Sequence, residues 1–304
     1  MSVVMGFPLL VLVLSLCGLG CDRVPQDPGP QYELARPPAQ GVVYVFAIHP
    51  LHNPKKLHGS YEPLVDYLNN HLDGAKLELE ASRDYGHFEG KYQARKPHFL
   101  LPNPWQTLQA MKVGYHVIAT AGDPEDFKGL FIVRRDSGLR TPKDLKGKAV
   151  SYPSPTALAA CILPQYFLHQ HGINIRTDIE NRYVGSQESS IMNAYLGQTA
   201  AGATWPPPWR AFKKDHPELA RELKVLWETP SLINNSVMVR DDVPPAVREG
   251  LRTALVHLRD TEEGRIILAT METARFHAAS DGDYEVVRSY VARFEKDVRA
   301  VEGN

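Results

Sequence analysis

Short apolar runs alternate with segments of helical spacing along most of the chain. Residues 42–48 form an apolar run that predicts a strand, and residues 55–72 place apolar side chains at the three- and four-residue intervals of a helix face. Further strands are predicted at residues 75–81, 97–103, 115–121, 130–135, 148–152, 178–185, 200–204, 223–228 and 234–240. Further helices are predicted at residues 104–114, 155–171, 186–197 and 206–216 and from Pro244 onward. Strands that alternate with helices indicate an α/β fold with largely parallel sheets.

The turn between the strand at 148–152 and the next helix has a composition suited to binding a ligand. We predict that Ser154 caps this helix and that Pro155 occupies its first position, with the Thr156 hydroxyl beside the free backbone N–H groups. A helix start of this kind binds anions, because several N–H donors and the positive end of the dipole converge there. Ala157 and Leu158 follow, however, where an anion site would want hydroxyls and a glycine.

The N-terminus differs from the rest of the chain. Residues 7–21 are apolar and end in small residues and a cysteine, which predicts a signal peptide at residues 1–20. The last four residues resemble a bacterial lipobox with Cys21 as the lipidated residue, although Gly18 stands where an aliphatic residue is usual and no Lys or Arg precedes the run. A plain cleaved signal and an uncleaved anchor are the alternatives. Residues 21–41 are rich in Pro and predict an extended tether.

Charge and motifs exclude several classes of function. The 34 Lys and Arg residues nearly balance the 35 Asp and Glu residues, so a nucleic-acid partner is not expected. Catalytic and nucleotide-binding signatures are missing, which argues against an enzyme. The histidines at 49, 52, 58, 169 and 171 do not have the spacing of a zinc site, and we expect neither a metal nor a cofactor. Cys161 would be the one cysteine of the exported body, and we expect a buried, inert thiol.

Three phrases of the sequence resemble the phosphate/phosphite/phosphonate-binding proteins of ABC transporters. They are "YEPLVDYLN" at residues 61–69, "RRDSGLRTPKDLKGKAVSYPSPT" at residues 134–156 and "GSQESSIMNAYLGQTAAGAT" at residues 185–204. The resemblance covers roughly residues 42–260. It implies a type II periplasmic binding fold, in which two α/β lobes joined by two crossing strands close on a ligand.

The strand–helix alternation places the two lobes along the chain. It restarts at Lys148 and ends near Trp227, so we expect lobe 1 at residues 42–137 and 231–304, including a helical C-terminal tail, and lobe 2 at residues 138–230. The crossings would then lie near Ser137 and Pro230. Ligands of such folds bind beyond the carboxyl ends of the strands. The candidate ligand-binding residues at or beside these ends are His49, Tyr61, Asn103, Trp105, Tyr152, Ser154, Thr156, Ser186, Gln187 and Trp205.

The functional residues that the resemblance implies are largely replaced. The family loop reads Asp-Pro-x-Ser-x-Ser-Gly, and its two serines and its glycine align with Pro155, Ala157 and Leu158. Histidine, tyrosine and acidic positions of the family align with Gln187, Thr107 and Thr199. Hydrogen bonds to a charged group are worth roughly 1.5–3 kcal/mol each, so a dianion would lose several such contributions.

These losses predict a ligand with less negative charge and more apolar surface. We expect a roomier cleft lined by Trp105 and Trp205, in which Ser154, Thr156 and Gln187 orient the ligand. Simple packing of the two tryptophans, and a mere capping role for Ser186 and Gln187, are the structural alternatives.

The sequence therefore predicts an exported, monomeric solute-binding lipoprotein in the periplasm. It would capture a small molecule, other than a simple phosphonate, between its lobes for an inner-membrane transporter. One alternative is a carrier for an apolar, sterol- or hopanoid-like ligand. The others are a binder of phosphate- or phosphonate-type oxyanions and a sensor that reports to an inner-membrane signalling protein.

Overall fold

The computed structural model describes residues 41–302. The predicted signal peptide at 1–20, Cys21 and all but the last residue of the tether at 21–41 lie outside the described residues. The strands are β1 Val42–Ile48, β2 Ala75–Glu80, β3 Phe99–Leu101, β4 Tyr115–Ala121, β5 Leu130–Arg134, β6 Ala149–Tyr152, β7 Glu180–Tyr183, β8 Ala201–Thr204, β9 Leu223–Glu228, β10 Asn235–Arg240 and β11 Phe276–Ala278. The helices are α1 Pro54–Asn69, α2 Tyr85–Gln93, α3 Pro104–Met111, α4 Leu163–Gln170, α5 Gln187–Tyr195, α6 Pro206–Asp215, α7 Pro217–Arg221, α8 Pro245–His257, α9 Glu262–Thr270 and α10 Glu285–Asp297.

Two separate sheets form the centres of two lobes, which confirms the predicted α/β class. The first sheet has the order β11-β4-β10-β3-β1-β2, and the second has the order β7-β6-β8-β5-β9. β1 is parallel to β2 and β3, and β6 is parallel to β7 and β8. β10 lies antiparallel between β3 and β4, and β5 lies antiparallel between β8 and β9. Both sheets are thus mixed, with a parallel part that carries the strand ends named above.

The apolar runs of the sequence become buried strands because helices cover these sheets. Phe46 and Phe99 are fully buried on neighbouring strands of the first sheet, and their rings pack edge to face 6.4 Å apart. Phe131 is fully buried in the second sheet and packs edge to face on Trp227 of β9 at 5.6 Å. Burial of such rings is the main favourable contribution to the stability of each lobe.

The first crossing between the lobes lies earlier in the chain than the sequence predicted. β5 was expected in lobe 1 but pairs only within the second sheet, so the chain crosses between residues 122 and 129 and not near Ser137. An apolar run predicts a strand but does not specify the sheet to which the strand belongs. The antiparallel pairing of β5 with β8 and β9 places it in the second sheet. The second crossing, at residues 229–234, includes Pro230 as expected.

The two crossings are irregular segments that hydrogen-bond to each other. The Thr229 amide donates to the Gly129 carbonyl at 2.9 Å, and the Gly129 amide donates to the Thr229 hydroxyl at 2.8 Å. Further along, the Leu232 amide donates to the Phe127 carbonyl at 2.9 Å. These reciprocal bonds join the two connections into one double-stranded hinge.

The C-terminal region is helical except for one strand, which is a correction to the expectation that everything after Pro244 is helical. β11 pairs antiparallel with β4 at the edge of the first sheet. After α10, Arg299 reaches lobe 2, where it donates to the Gln165 side chain at 2.8 Å and to the Pro155 carbonyl at 2.9 Å. The C-terminal tail therefore contacts the loop after β6 in lobe 2 through Arg299. Within residues 41–302, no helix combines the length and the apolar character that crossing a membrane requires.

Candidate functional site

The loop after β6 meets the start of α3 from the other lobe. The Asn103 side chain donates from Nδ2 to the Thr156 carbonyl at 3.2 Å, and both residues are buried. The other end of the same amide caps α3, because Oδ1 accepts from the backbone amides of Trp105 and Gln106 at 3.0 and 3.1 Å. One asparagine thus fixes a helix start of lobe 1 and contacts the ligand loop of lobe 2.

Ser154 stabilises the loop and does not cap a helix, which corrects the prediction from the sequence. Its hydroxyl accepts from the Thr156 amide at 3.3 Å and lies 3.0 Å from the Thr156 hydroxyl. The chain then forms a π-helical turn at Leu158–Ile162 before α4 begins, so the helix starts later than Pro155. A π-turn inside a helix is often found at functional sites, because it costs stability and alters where side chains project.

A carboxylate that the sequence analysis missed lies at the centre of the contact between the lobes. The Thr156 hydroxyl donates to Glu89 Oε1 at 2.7 Å, and Gln106 Nε2 donates to the same oxygen at 3.1 Å. Glu89 is fully buried and projects from α2, a helix for which no prediction was made. Burying a polar group is costly unless it is hydrogen-bonded, and these two bonds offset that cost at Oε1.

Gln187 makes a second polar contact between the lobes. Its Nε2 donates to the Tyr85 hydroxyl of α2 at 3.1 Å, and its Oε1 accepts from the Thr204 hydroxyl at 2.9 Å. The Tyr85 ring packs edge to face on His49, with the ring centroids 6.4 Å apart. His49 Nδ1 donates to the Leu101 carbonyl at 2.9 Å. Because a carbonyl can only accept, the proton of the neutral ring lies on Nδ1.

Trp205 lies where lobe 2 meets the hinge. Its side chain is 5% exposed and packs edge to face on Phe127 of the first crossing, at 5.5 Å. Trp205 and Tyr61 line an interlobe cavity of about 10 Å³, together with residues of the hinge and of the turn that follows α9. The expectation of a roomy, aromatic-lined cleft is not met, because the two lobes pack directly on each other here.

The remaining candidates have structural contacts. Trp105 is buried in the first turn of α3 and is not among the residues that line this cavity. Ser186 caps α5 by accepting from the Ser189 amide at 3.1 Å, as the structural alternative had it. Tyr152 packs beside Tyr183 within lobe 2, with the ring centroids 5.9 Å apart. Burial raises the pKa of Tyr61, Tyr85 and Tyr152, so these phenols remain protonated at neutral pH.

The threonines that align with family binding residues support their own lobes. The Thr107 hydroxyl donates to the Asn103 carbonyl at 3.0 Å and lies 2.7 Å from the Ser236 hydroxyl. The Thr199 hydroxyl lies 3.1 Å from the Ser151 hydroxyl within lobe 2. Neither hydroxyl bonds across the lobes in these contacts, so both positions now connect elements of one lobe.

Ion pairs join the lobes at the rim of the contact. Arg210 of α6 binds both carboxylate oxygens of Asp126 at 2.9 Å, and it donates to Glu272 Oε2 and to the Glu272 carbonyl, both at 2.9 Å. Lys56 of α1 pairs with Asp215 at the C-terminal end of α6. A bidentate arginine pair is geometrically specific, so Arg210 ties lobe 2 to the hinge and to lobe 1.

Two kinds of chemical group bear on possible chemistry, namely metal-ligand clusters and the one described cysteine. Within residues 41–302, no three His, Cys, Asp or Glu side chains lie together as metal ligands. Cys161 is fully buried, and burial raises the pKa of its thiol to about 12, so the thiol stays protonated. The buried thiol is therefore a poor nucleophile at neutral pH.

The buried His49 should make folding stability depend on pH. Burial lowers its pKa from 6.5 to about 4, because the folded chain favours the neutral ring, whereas the unfolded chain protonates near pH 6.5. Above pH 6.5 the ring is neutral in both the folded and the unfolded chain, so His49 does not reduce the free energy of unfolding. As pH falls from 6.5 to about 4, the unfolded chain takes up the proton first, and the free energy of unfolding decreases. We expect His49 to account for up to roughly 3 kcal/mol of that loss. Urea unfolding between pH 8 and pH 4 measures how the free energy of unfolding changes with pH. If His49→Gln showed the same change as the wild type, the prediction would be wrong.

Comparisons with known proteins identify the family and the fold of the chain. A family model described as the periplasmic substrate-binding protein of phosphonate ABC transporters matches residues 46–284. The chain is 23% identical over 193 residues to the probable ABC transporter phosphite binding protein PhnD1 of Prochlorococcus marinus (strain MIT 9301), covering 59% of this chain and 65% of that protein. It is 22% identical over 191 residues to the phosphonates-binding periplasmic protein of Escherichia coli (strain K12), covering 62% of this chain and 56% of that protein. Each alignment spans less than two thirds of the relative's length.

Solved structures show the same architecture. The structure of PhnD1 from P. marinus in complex with methylphosphonate matches with a TM-score of 0.76 at 20% identity, over 84% of this chain and 98% of that chain. This similarity confirms the two-lobed fold of periplasmic binding proteins. Since the family model covers most of the residues that the structure describes, the chain belongs to the family of periplasmic phosphonate substrate-binding proteins of ABC transporters.

Proposed function

We propose that the protein captures a small molecule between its two lobes and delivers it to an ABC-type transporter of the inner membrane. The observation that carries the proposal is the buried polar contact between the lobes, where Thr156 and Gln187 of lobe 2 meet Asn103 and Tyr85 of lobe 1. Family membership supports the same role. A ligand that binds both lobes would stabilise their closed arrangement, and a transporter could recognise that arrangement.

We further propose that the ligand is not a simple phosphonate. Pro155 lacks the N–H group that a loop residue could offer, Ala157 and Leu158 offer no hydroxyl, and the one retained threonine already donates within the protein. A phosphate-type ligand is the second candidate, because relatives are named as phosphite- or phosphonate-binding. A large sterol- or hopanoid-like ligand has less support, since the interlobe cavity is about 10 Å³.

Two measurements test the proposed function. Native mass spectrometry of the purified protein should detect a co-purifying small molecule. Calorimetry with methylphosphonate, phosphite, phosphate and 2-aminoethylphosphonate should then give weak binding or none. Submicromolar affinity for any of the four would overturn the ligand proposal and favour the second candidate, and failure to bind any small molecule would overturn capture itself.

We also propose that the mature protein is a periplasmic lipoprotein anchored through Cys21. The cysteine follows an apolar run and small residues, as at a lipidation site. Replacing Cys21 with serine should abolish attachment of the lipid and move the protein from the membrane fraction to the soluble fraction. Equal masses and equal soluble fractions for both forms would show that no anchor is present.

A further inference from the structure

Glu89 reaches from lobe 1 into the loop that the family uses to hold an oxyanion. Its Oε1 accepts from the Thr156 hydroxyl at 2.7 Å, and its side chain is fully buried. Gln106 of α3 donates to the same oxygen at 3.1 Å and thereby orients the carboxylate from within its own lobe. The Gln106 side chain is held in turn, because its Oε1 accepts from the Asn103 amide at 3.2 Å. The position of Glu89 is thus determined by contacts on both sides of the lobe boundary.

The Thr156 hydroxyl cannot serve Glu89 and a ligand oxyanion at once. A hydroxyl carries a single proton, so its one donated hydrogen bond is used when it binds the carboxylate. The Ser154 hydroxyl lies 3.0 Å from the Thr156 hydroxyl and accepts from the Thr156 amide, so that N–H group is also engaged inside the loop. The donors that remain of the family's loop are therefore committed to the protein itself.

In its ionised form, Glu89 adds repulsion to this loss of donors. Inside a protein the effective dielectric constant is roughly 20, which is well below that of bulk water. Two like charges about 4 Å apart therefore repel each other strongly there. A phosphonate dianion that approached the Thr156 hydroxyl would meet this carboxylate and would also lose its own hydration. Tyr85 and Tyr92 are buried near Glu89, and burial together with the Glu89 charge raises the pKa of both phenols, so neither adds a further charge.

We propose that the Glu89 carboxylate takes the position of the ligand oxyanion and determines the specificity of the site. The site then rejects phosphate-type anions and accepts a head group that donates hydrogen bonds and bears no negative charge. This inference rests on the proposed capture of a ligand between the lobes, and it names the class of that ligand. Thr156 and Gln106 orient the Glu89 carboxylate, and this carboxylate contacts the head group of the ligand directly.

Calorimetry with methylphosphonate as the probe tests the assignment. Glu89→Gln keeps the shape of the side chain and removes the charge, so it should bind methylphosphonate roughly tenfold or more tightly than the wild type. Glu89→Asp keeps the charge and should show no gain. Glu62→Gln, which removes an exposed carboxylate of α1, is the matched control and should bind as the wild type does. Glu89→Ser also removes the charge and is measured in parallel, in case one neutral variant does not fold.

The outcomes separate this inference from the proposed function. A gain of less than tenfold in the folded neutral variants, including no detectable binding by either, would overturn the role of Glu89. An equal gain in Glu89→Asp would also overturn it, because charge would not be the cause. Capture as such is judged separately, on whether a small molecule co-purifies with the wild type. Such a molecule should carry no negative charge at its head group, and a co-purifying phosphonate would contradict the specificity proposed here.

Discussion

Replacing Trp205 with alanine should lower the free energy of unfolding by about 3–5 kcal/mol, the usual cost of removing a buried tryptophan from a packed core. The side chain is 5% exposed, packs on Phe127 and borders a cavity of about 10 Å³ that also touches Tyr61 and Leu101. Neighbours that belong to lobe 1 and to the hinge cannot all move inward to fill the space. The loss should therefore weaken the contact between the lobes as well as lobe 2 itself.

Urea unfolding of the wild type, Trp205→Ala and Trp205→Phe measures this loss of stability. Trp205→Phe keeps most of the apolar contact with Phe127 and should lose clearly less stability than Trp205→Ala. If a ligand co-purifies, Trp205→Ala should also weaken its binding more than Thr156→Ala does, because more contact area is lost. A loss of stability below 1 kcal/mol for Trp205→Ala would show that the tryptophan does not hold the lobes together.

The buried strands were predictable because their apolar runs are continuous. The predicted strand at residues 42–48 coincides with β1, whose first two residues are exposed and whose last three are buried. A parallel strand that is covered on both faces needs apolar side chains at nearly every position, and the buried end of β1 has them. The same pattern could not assign a strand to a sheet, so β5 was placed in the wrong lobe. Only the register of β5 against β8 and β9, set by distant residues, determines its place.

Helix α2 was missed although it supplies two of the residues at the contact between the lobes. Gly86 and Gly90 lie within it, and each glycine costs a helix about 1 kcal/mol relative to alanine. A signal was present nonetheless, because the Asp84 side chain caps the helix by accepting from the His87 amide, and Tyr85, Phe88 and Tyr92 have helical spacing. Recognising the cap would have predicted the helix that carries Tyr85 and Glu89.

The strand ends indicated which loops meet, but they did not specify side-chain partners. Asn103 and Thr156 were selected separately, from the carboxyl ends of two strands, and they hydrogen-bond across the lobes. Tyr152 was selected by the same rule, yet its ring packs against Tyr183 inside lobe 2. The rule applies to positions on the chain, whereas the direction of each side chain depends on local twist and on the neighbouring elements.

Replacing Gly202 with alanine should lower the free energy of unfolding by about 3 kcal/mol through overpacking. Gly202 lies in the middle of β8, where α5 approaches the second sheet closely. An added Cβ would lie 2.1 Å from the Ser190 carbonyl oxygen and 2.9 Å from its carbon, and both atoms belong to backbone that cannot rotate away. To make room, α5 would have to shift, and the bond from Gln187 at its start to Tyr85 would be disturbed.

Gly59→Ala is the matched control and should have the opposite effect. Gly59 lies in α1 with nothing within 4 Å of an added Cβ, so alanine should stabilise the protein by roughly 0.5–1 kcal/mol through its higher helix propensity. Urea unfolding of both variants separates a steric cause from a general effect of losing a glycine. If Gly202→Ala were as stable as the wild type, the close packing of α5 on β8 would not be needed to keep Gln187 in reach of lobe 1. The contact between the lobes would then depend on other bonds, such as those of Asn103 to Thr156 and of Arg210 to Asp126.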